Sequence, residues 1–437
     1  MKREQMVVAC CSDLAGKVRG KAFPAVDFDK RLRRGVGWTP TNVQITCFDN
    51  IAESPFGSLG DLVLIPDPST RVRLPVEGEG TAEEFVLGDI KHTDGTPWAF
   101  CTRSILKAAL ARLERVAGLT LVGAFEHEFQ FRNLASPLGD AFSLAGFREH
   151  RAFAETLIAA MREAGLAPDT FMKEFGTGQF EVTMGPQKGV AIADHAVVVR
   201  ECARAVGHRL GRFPTFTPIR DPAGVGNGVH IHLSFRDGQD QPAAYDPQGQ
   251  HGLSKPAGQF VAGILRYLES IVAVTAPSVI SYVRLTPHRW SAAFNNLGFR
   301  DREASVRICP VSDLSDVDQA AQFNFEYRAA DAAASPHLQL AAIVHAGVQG
   351  IEDDLPTPGA TEEDLSLLAP DVLKARGCVR LPQSLPEALD RFSAHPKVAE
   401  WFSAEFVELY VKHKHGEISF LNGRDLAETC KAYEEVY

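Results

Sequence analysis

The sequence predicts an α+β protein with two domains, and three observations carry this prediction. The chain has 437 residues, whereas a single hydrophobic core stops growing at about 250 to 300 residues. Residues 6–97 are turn-rich, with short β-branched runs between Gly, Pro and Asp. After residue 97, apolar residues at helical spacing alternate with short polar strands. We therefore expect a small domain at 1–97 and a larger domain at 98–437.

The composition is typical of a soluble globular protein, with 45% hydrophobic and 23% charged residues. The 45 Lys and Arg against 55 Asp and Glu give a net charge of −10 at pH 7. This acidic balance argues against a nucleic acid or an anionic membrane as the main partner. Small molecules are the expected ligands.

The expected compartment follows from the N-terminus and the cysteines. Asp13 interrupts the short apolar run at the start, so neither a signal peptide nor a membrane anchor is expected. The eight cysteines show no metal or redox spacing, and only Cys10 and Cys11 are close neighbours. We expect a cytoplasmic protein with reduced thiols.

Local patterns predict the elements in chain order. Strands are expected at 43–46 and 62–65, where β-branched and apolar residues run together. A helix at 104–113 with Ser104 as its N-cap opens the second domain. Apolar spacing predicts further helices at 153–164, 192–207, 259–274 and 337–350. The acidic stretch 353–370 contains Pro and Gly, which favours a surface loop.

Four strand-like segments place polar side chains at every second residue, and such residues share one face of a strand. The polar residues are Glu126, Glu128 and Gln130; Glu174 and Glu181 across a glycine-rich turn; His230, His232 and Ser234; and Asn324, Glu326 and Arg328. One such segment alone is more often a strand with a solvated face. Four of them, flanked by aromatic residues, predict a concave sheet with a polar inner face.

The carboxylates on this face imply divalent cations. Two unit charges about 4 Å apart repel by about 4 kcal/mol at an effective dielectric of about 20. Many carboxylates with few imidazoles favour Mg²⁺ or Mn²⁺ over zinc or iron. The arginine cluster of Arg300, Arg302 and Arg307 indicates phosphate or carboxylate ligands. Cations and arginines together predict phosphoryl transfer from a nucleotide, with catalysis by positioning and charge neutralisation.

From Asp13 to about Gly350 these motifs resemble the glutamine synthetase superfamily. Six of them occur in the family's order: Glu126 with Glu128; Glu174 with 178–181; 227–234; 284–287; Arg302 to Arg307; and 326–328 with Asp331. The resemblance implies an N-terminal β-grasp domain and a catalytic domain with a curved antiparallel sheet surrounded by helices. It also implies a homo-oligomer, a dodecamer of two hexameric rings with active sites between subunits.

The resemblance further implies two metal sites, a glutamate site and an ATP site. One metal would be held by Glu128, Glu174 and Glu181, and the other by Glu126, His230 and Glu326. Glutamate would be bound by Arg284 and Arg328 with the backbone of Gly226, and ATP by His232 and Ser234. The catalytic arginines would be Arg284, Arg302 and Arg307, the last two neutralising the transferring phosphoryl group. The family reaction forms γ-glutamyl phosphate, from which an amine then displaces phosphate.

The sequence departs from the family at both acids that bind ammonium. The aspartate of the N-terminal latch has no counterpart in 37–41, where Thr39 or a neighbour replaces it. Six residues after Arg284, Trp290 replaces a glutamate. These departures resemble the γ-glutamyl-amine ligase branch, which includes γ-glutamylmethylamide, γ-glutamylpolyamine and γ-glutamylanilide synthetases. Trp290 would then contact an organic amine.

Three alternatives stay open. In one, Trp290 packs in the core, another acid takes over, and the protein is a glutamine synthetase that uses ammonia. A guanidino-kinase-like phosphotransferase would share the curved sheet and stop at a phosphorylated product. A non-catalytic structural relative would have lost metal ligands, all six of which are present. Val225 replaces an asparagine beside the glutamate site, and no Tyr between Tyr327 and Tyr410 is available for adenylylation.

Overall fold

The computed structural model describes residues 3–74, 81–132, 134, 139–312 and 318–437. Met1 and Lys2, part of the N-terminal stretch interpreted above, lie outside the described residues. The described chain forms two β-sheets with helices around them, so the predicted α+β fold class is confirmed.

The N-terminal region forms a sheet of six strands with one helix. These elements are β1 (Met6–Ser12), β2 (Val18–Pro24), α1 (Phe28–Arg34), β3 (Val36–Trp38), β4 (Leu62–Pro66), β5 (Val72–Leu74) and β6 (Glu83–His92). The strand order is β2-β1-β6-β4-β3, with β5 beside β6. β1 and β6 are parallel, and the other pairs are antiparallel. A small mixed sheet with one helix agrees with the expected β-grasp domain, and β4 confirms the strand predicted at 62–65.

The strand predicted at 43–46 is wrong. Pro40–Gln44 forms a 3₁₀ helix with Pro40 at its first position, where the fixed φ and missing N–H of proline suit a helical turn. Gln44 is fully buried, and its side chain donates to the carbonyl of Glu53 at 2.6 Å. Proline geometry and a buried polar contact therefore outweigh the β-propensity of this segment.

The larger sheet has ten strands. They are β7 (Thr120–Phe131), β8 (Pro168–Lys173), β9 (Gln179–Met184), β10 (Gln187–Lys188), β11 (Pro214–Thr215), β12 (Val229–Arg236), β13 (Leu297–Phe299), β14 (Val306–Ile308), β15 (Phe325–Ala330) and β16 (Ala360–Thr361). The order is β16-β13-β14-β15-β12-β7-β9-β8, and β10 and β11 also pair with β7. All pairs are antiparallel except at one edge, where β13 is parallel to β14 and β16.

Helices account for most of the remaining second domain. They are α2 (Thr102–Ala117), α3 (Leu144–Glu163), α4 (Ala191–Arg209), α5 (Lys255–Thr275), α6 (Ser281–Arg284), α7 (Gln319–Gln322), α8 (Pro336–Glu352), α9 (Pro370–Ala375), α10 (Leu385–Ala394), α11 (Pro396–Phe402), α12 (Ala404–Phe420) and α13 (Leu426–Val436). The four helices predicted from apolar spacing are confirmed as α3, α4, α5 and α8. The predicted loop at 353–370 contains β16 and a three-residue 3₁₀ helix, and α9 begins at its last residue, Pro370.

The first helix of the second domain begins earlier than predicted. Cys101 occupies the N-cap position of α2, and Thr102 is the first helical residue. The Thr102 hydroxyl donates to the carbonyl of Ser12 at 2.7 Å, which joins the helix start to β1. Ser104 lies inside the first turn, so its assignment as the cap is wrong.

α5 and α8 pack closely against each other. A Cβ added at Gly263 would lie 2.2 Å from the carbonyl oxygen of Ala346, so the two backbones meet with only hydrogen between them. Among the described residues, α5 is the helix long and apolar enough to cross a membrane, with a mean hydropathy of 1.3. Because 89% of that stretch is buried inside the protein, it has the character of a core helix. The eight cysteines are buried and free.

Candidate functional site

Strand register brings the polar residues of the larger sheet together. Directly opposed pairs are Glu126 with His230, Glu128 with Glu181, and His232 with Glu326. On the opposite face of β7, Phe125, Phe129 and Phe131 are completely buried. The alternation predicted from the sequence therefore exists in the structure, because register places the polar face of β7 beside the polar faces of β9 and β12.

Glu126, His230 and Glu326 form a compact cluster of potential metal ligands. One ligand atom from each lies within 4.8 Å of the other two. His230 Nδ1 is 2.6 Å from Glu126 Oε1. Two carboxylates with one imidazole form an oxygen-rich donor set, which fits Mg²⁺ or Mn²⁺.

The electrostatics of this face also fit bound cations. Burial, and then the negative charge of Glu126 and Glu128, raises the pKa of Glu181 to about 10. Burial would raise the pKa of Glu126 as well, but hydrogen bonds from two histidines outweigh it and hold this pKa well below its usual value. The negative charge of the carboxylates on this face therefore exceeds the positive charge around them, and a cation would relieve the repulsion between the carboxylates.

The second predicted metal group, Glu128, Glu174 and Glu181, is less compact. Glu128 Oε2 accepts the backbone N–H of Gly228 at 2.8 Å and the amide of Gln179 at 3.3 Å. Burial, and then the charge of Glu128, raises the pKa of Glu174. Across the described ranges, these three carboxylates do not bring ligand atoms within 4.8 Å of one another. Their shared metal stays a prediction.

Cys309 is a site residue that the sequence analysis missed. Its Sγ is 3.5 Å from His232 Nδ1, and it forms a second cluster of potential ligands with His232 and Glu326. Cys309 follows Arg307 by two residues. The same period-two pattern would therefore have placed both on one face.

The predicted arginines differ in their surroundings. Arg307 Nε donates to Glu326 Oε1 at 2.5 Å, and Arg328 donates to the same oxygen at 2.7 Å. Arg302 is exposed, and its backbone carbonyl accepts from Arg328 Nε at 3.1 Å. Two arginines thus bind the carboxylate of Glu326, a potential metal ligand, whereas the third presents its guanidinium to solvent.

Arg284 is buried, with 2% of its surface exposed. Its guanidinium donates to Ser291 Oγ at 3.0 Å and to the carbonyl of Ala330 at 2.5 Å, while Nε has no hydrogen-bond partner among the described residues. Burial lowers the pKa of Arg284. A Cβ at Gly226 would lie 2.5 Å from Arg284 Cγ, so this approach requires glycine.

A cavity of about 400 Å³ lies beside the metal-ligand cluster, and its lining includes Glu126, His232 and Ser234. The Ser234 hydroxyl donates to the carbonyl of Phe323 at 2.8 Å. His232 Nδ1 is 2.9 Å from Asn324 Oδ1. The two residues predicted to lie along a nucleotide therefore line one cavity.

Two further cavities follow along β7. An inner cavity of about 30 Å³ is lined by Glu128, Glu174, Gly226 and Arg284, among others. An outer cavity of about 890 Å³ reaches Gln130. The inner and outer cavities share the lining residues Phe175, Val225, Arg289 and Trp290.

β7 connects these three cavities. Glu126 lines the first, Glu128 the inner one and Gln130 the outer one. Alternate residues of a strand are about 6.6 to 6.8 Å apart, so these three positions span about 13 Å. One strand therefore aligns a nucleotide-sized cavity, a carboxylate cluster, a buried arginine and an outer cavity.

Trp290 is 57% exposed, so the alternative in which it packs in the core is wrong. It lies at the boundary of the inner and outer cavities, where its ring centroid is 5.9 Å from that of Phe175. Trp290 and His288 have positive φ angles of 53° and 62°. The carboxylate of Glu303 accepts the backbone N–H groups of both, at 3.3 and 3.0 Å, and holds this loop.

Comparisons with known proteins agree with this arrangement. The family model for the glutamine synthetase catalytic domain matches residues 99–428, and that for the glutamine synthetase N-terminal domain matches residues 1–98. The chain is 33% identical to γ-glutamylpolyamine synthetase of Streptomyces coelicolor, with 99% of this chain and 93% of the relative covered. It is 27% identical to type-1 glutamine synthetase 1 of Dictyostelium discoideum, with 95% and 86% covered. A crystal structure of a novel glutamine synthase homolog superposes with a TM-score of 0.92 at 38% identity, covering 100% of this chain and 99% of that one.

Proposed function

The chain belongs to the glutamine synthetase family, and we propose that this ligase joins an organic amine to the γ-carboxylate of glutamate at the expense of ATP. The observation that carries the proposal is Trp290. It lies exposed at the mouth of the inner cavity, at the position where the family's ammonium-binding glutamate is expected from the motif spacing. An aromatic face there accepts an alkylammonium by a cation–π contact, or stacks on an aryl amine.

In this proposal glutamate binds where the inner and outer cavities meet, with a carboxylate at Arg284, because about 30 Å³ in the inner cavity is too small to hold the whole molecule. The unpartnered Nε of Arg284 is directed to a carboxylate, since a buried donor without an acceptor is costly. Arg328 is the second carboxylate ligand, and the Gly226 backbone lies near the amino group. The 33% identity to a γ-glutamylpolyamine synthetase supports glutamate as the acceptor of the amine.

Mg²⁺ or Mn²⁺ fits the oxygen-rich donor set. One ion would be held by Glu126, His230 and Glu326, and a second by Glu128, Glu174 and Glu181. Bound there, they supply neutralisation of phosphate charge. The protein's own part is to hold ATP beside His232 and Ser234 and to surround the transferring phosphoryl group with Arg302 and Arg307.

The reaction makes γ-glutamyl phosphate; the amine nitrogen then attacks the carbonyl carbon of the phosphorylated γ-carboxyl group, phosphate leaves, and the amine gives up a proton. Phosphorylation gives the carboxylate a leaving group that it otherwise lacks. Alignment of the cavities along β7 supports this order, because glutamate between nucleotide and amine receives phosphate from one side and nitrogen from the other. The N-terminal latch segment around Thr39 lacks an aspartate, which agrees with an amine that needs less negative charge than ammonium.

The assembly and compartment belong to the same proposal. We infer a homo-oligomer of two hexameric rings with active sites between subunits, acting in the cytoplasm, with a domain division at 97/98. The family membership supports the assembly. The acidic net charge of −10 favours small-molecule substrates over nucleic acid or membrane.

A glutamine synthetase that uses ammonia is the second candidate function, because a relative of that name is 27% identical over nearly the whole chain. It requires an acid near the amine position. Glu303, which accepts the Trp290 N–H, is the nearby carboxylate that would serve.

The deciding experiment measures ADP release in the presence of Mg²⁺ and Mn²⁺, with glutamate and an amine added singly and together. The proposal expects release that depends on both, together with a γ-glutamyl amide detected by mass spectrometry. ADP release with a stable phosphorylated product and no amide would identify a phosphotransferase. No release under any condition would identify a non-catalytic relative.

A further inference from the structure

We propose that the preferred amine carries a single amino group on an apolar body, and that Phe175 and Trp290 form the wall against which this body packs. The inference rests on the proposed function and names the amine class. Its basis is the outer cavity, whose volume of about 890 Å³ far exceeds what ammonia or methylamine needs.

The two rings form a continuous apolar surface at the inner end of this cavity. Phe175 is 58% exposed and Trp290 57% exposed, and both side chains line the outer cavity. Leu134 extends the apolar lining. Exposed aromatic rings that border a cavity are typical of a surface that a ligand covers.

The Trp290 ring is held in place for this role. The Glu303 carboxylate accepts the N–H groups of Trp290 and His288, and these hydrogen bonds offset the cost of their left-handed backbone. The His288 ring is in turn 2.8 Å from the Asp364 carboxylate. Two carboxylates therefore fix the loop, and an ordered ring gives a defined packing surface.

The charged groups of the outer cavity balance one another. Glu434 is 5% exposed and accepts from Arg220 at 2.8 Å and from Lys431 at 3.1 Å. Asp221 accepts the N–H of Ala223 at 2.9 Å in its own turn.

The second arginine of the lining belongs to the same side of the cavity as Asp221. Arg289 donates to the carbonyls of Gly224 and Pro222, next to Asp221 in the chain. Within the described lining, two arginines thus offset two carboxylates.

This balance disfavours a diamine or polyamine. The ammonium group beyond the reacting nitrogen would leave water for a cavity whose described lining has no net negative charge, so it gains no net electrostatic attraction there. The Asp221 carboxylate is exposed, so an ion pair with it would contribute little. Binding of an apolar body is favoured, because the body leaves water and contacts the rings of Phe175 and Trp290 and the side chain of Leu134. The cavity therefore discriminates between amines by the group at the end of the molecule away from the reacting nitrogen.

The test compares a monoamine with the diamine of equal chain length, and adds an aryl-bearing amine and ammonia. We would measure kcat/KM for hexylamine, 1,6-diaminohexane, benzylamine and ammonia with the full-length enzyme, ATP, glutamate and Mg²⁺. We expect hexylamine and benzylamine to exceed 1,6-diaminohexane at least tenfold. Phe175→Ala should reduce the hexylamine to diamine ratio at least threefold.

Arg220→Gln provides a charge test, because it frees Glu434 from its arginine. It should raise the relative kcat/KM of the diamine at least threefold, whereas Arg151→Gln, which breaks an exposed pair with Glu155, should leave the ratio unchanged. Thermal melting checks that each variant folds. If Arg220→Gln does not fold, the comparison of hexylamine with 1,6-diaminohexane in the wild-type enzyme tests the inference.

Two results would overturn the inference. The first is a wild-type enzyme that prefers the diamine to hexylamine, which would leave the proposed function standing. The second is a Phe175→Ala variant that changes the oligomer mass but not the amine ratio, which would assign the rings to a subunit contact. Ammonia as the best of all four amines would instead contradict the proposed function itself.

Discussion

The carboxylates of the larger sheet set the chemistry at the scale of single residues. Glu126, Glu128 and Glu181 lie on one polar face, and their mutual repulsion raises the pKa of Glu181 to about 10 after burial has already raised it. Such an arrangement is stable and useful when cations share the face. The proposed reaction therefore depends on both proposed sets of metal ligands, the one that includes Glu126 and the one that includes Glu128 and Glu181.

Two substitutions test this dependence. Glu128→Ala and His230→Ala should each lower kcat at least a thousandfold while the thermal unfolding midpoint changes little, since each removes a ligand from a different proposed ion. Activity in Mg²⁺ and Mn²⁺ titrations is the measurement. Full turnover in excess chelator, or in either variant, would contradict the two-metal account.

Arg302 tests the phosphoryl step. Its guanidinium is exposed and forms no hydrogen bond or ion pair with the residues that the structure describes, whereas its carbonyl accepts from Arg328 at 3.1 Å. Arg302→Lys keeps the charge and the backbone contact but loses the planar fork, so we expect kcat to fall at least tenfold. The exposed neighbour Arg300 serves as control, and Arg300→Lys should stay near wild type. Equal rates for both variants would show that Arg302 does not contact phosphate.

Period-two spacing predicted much of the site but not all of it. It placed Glu126, His230 and Glu326 on a shared face because side-chain direction follows directly from strand geometry. It did not reveal that Phe175 meets Trp290, or that Glu303 holds the Trp290 loop. Those contacts join distant segments, and no local pattern encodes them.

At the scale of elements, β7 organises the molecule's central feature. Its alternate residues line three cavities in sequence, which puts the proposed nucleotide, glutamate and amine positions in one row. Helices with a clear apolar period were predicted well, because burial of one stripe dominates their formation. The errors at 43–46 and at Ser104 arose where proline geometry and a side-chain contact to another element decide the structure.

The contact between α5 and α8 gives a prediction at this scale. Gly263→Ala would place a Cβ 2.2 Å from the Ala346 carbonyl, so the helices must separate, and we expect a loss of about 1 to 3 kcal/mol of stability. Gly238→Ala is the control, since a Cβ there meets no atom within 4 Å. Chemical denaturation measures both. A Gly263→Ala variant as stable as Gly238→Ala would contradict the close approach.

At the scale of the whole molecule, Arg103 joins the two parts of the chain. Its guanidinium donates to Asp194 on α4 twice at 2.9 Å, to Asp89 on β6 at 3.0 Å and to Asp67 at 2.8 Å. Asp194 also lies 2.8 Å from His337 on α8. A buried network thus ties the N-terminal sheet to two helices of the larger domain.

Asp194→Asn tests this network. Burial would raise the pKa of Asp194, but the hydrogen bonds from His337 and Arg103 outweigh it and lower this pKa. The carboxylate therefore stabilises the fold above the unfolded pKa of about 3.9, and this contribution is lost as pH falls through the lower folded pKa. We expect a cost of about 3 to 5 kcal/mol at pH 7, measured by denaturation, that shrinks below about pH 4. If Asp194→Asn lowers the free energy of unfolding by the same amount at every pH, the claim that Asp194 is ionised in this network is wrong.

The choice of an organic amine over ammonia is the central claim, and the kcat/KM ratio of hexylamine to ammonia tests it most directly. Trp290→Glu restores a negative charge at the amine position, and Trp290→Phe keeps an aromatic ring as the control. We predict a wild-type ratio above ten, little change in Trp290→Phe, and at least a tenfold fall in Trp290→Glu, equivalent to about 1.4 kcal/mol. A wild-type enzyme that prefers ammonia, or a ratio that Trp290→Glu leaves unchanged, would contradict the account.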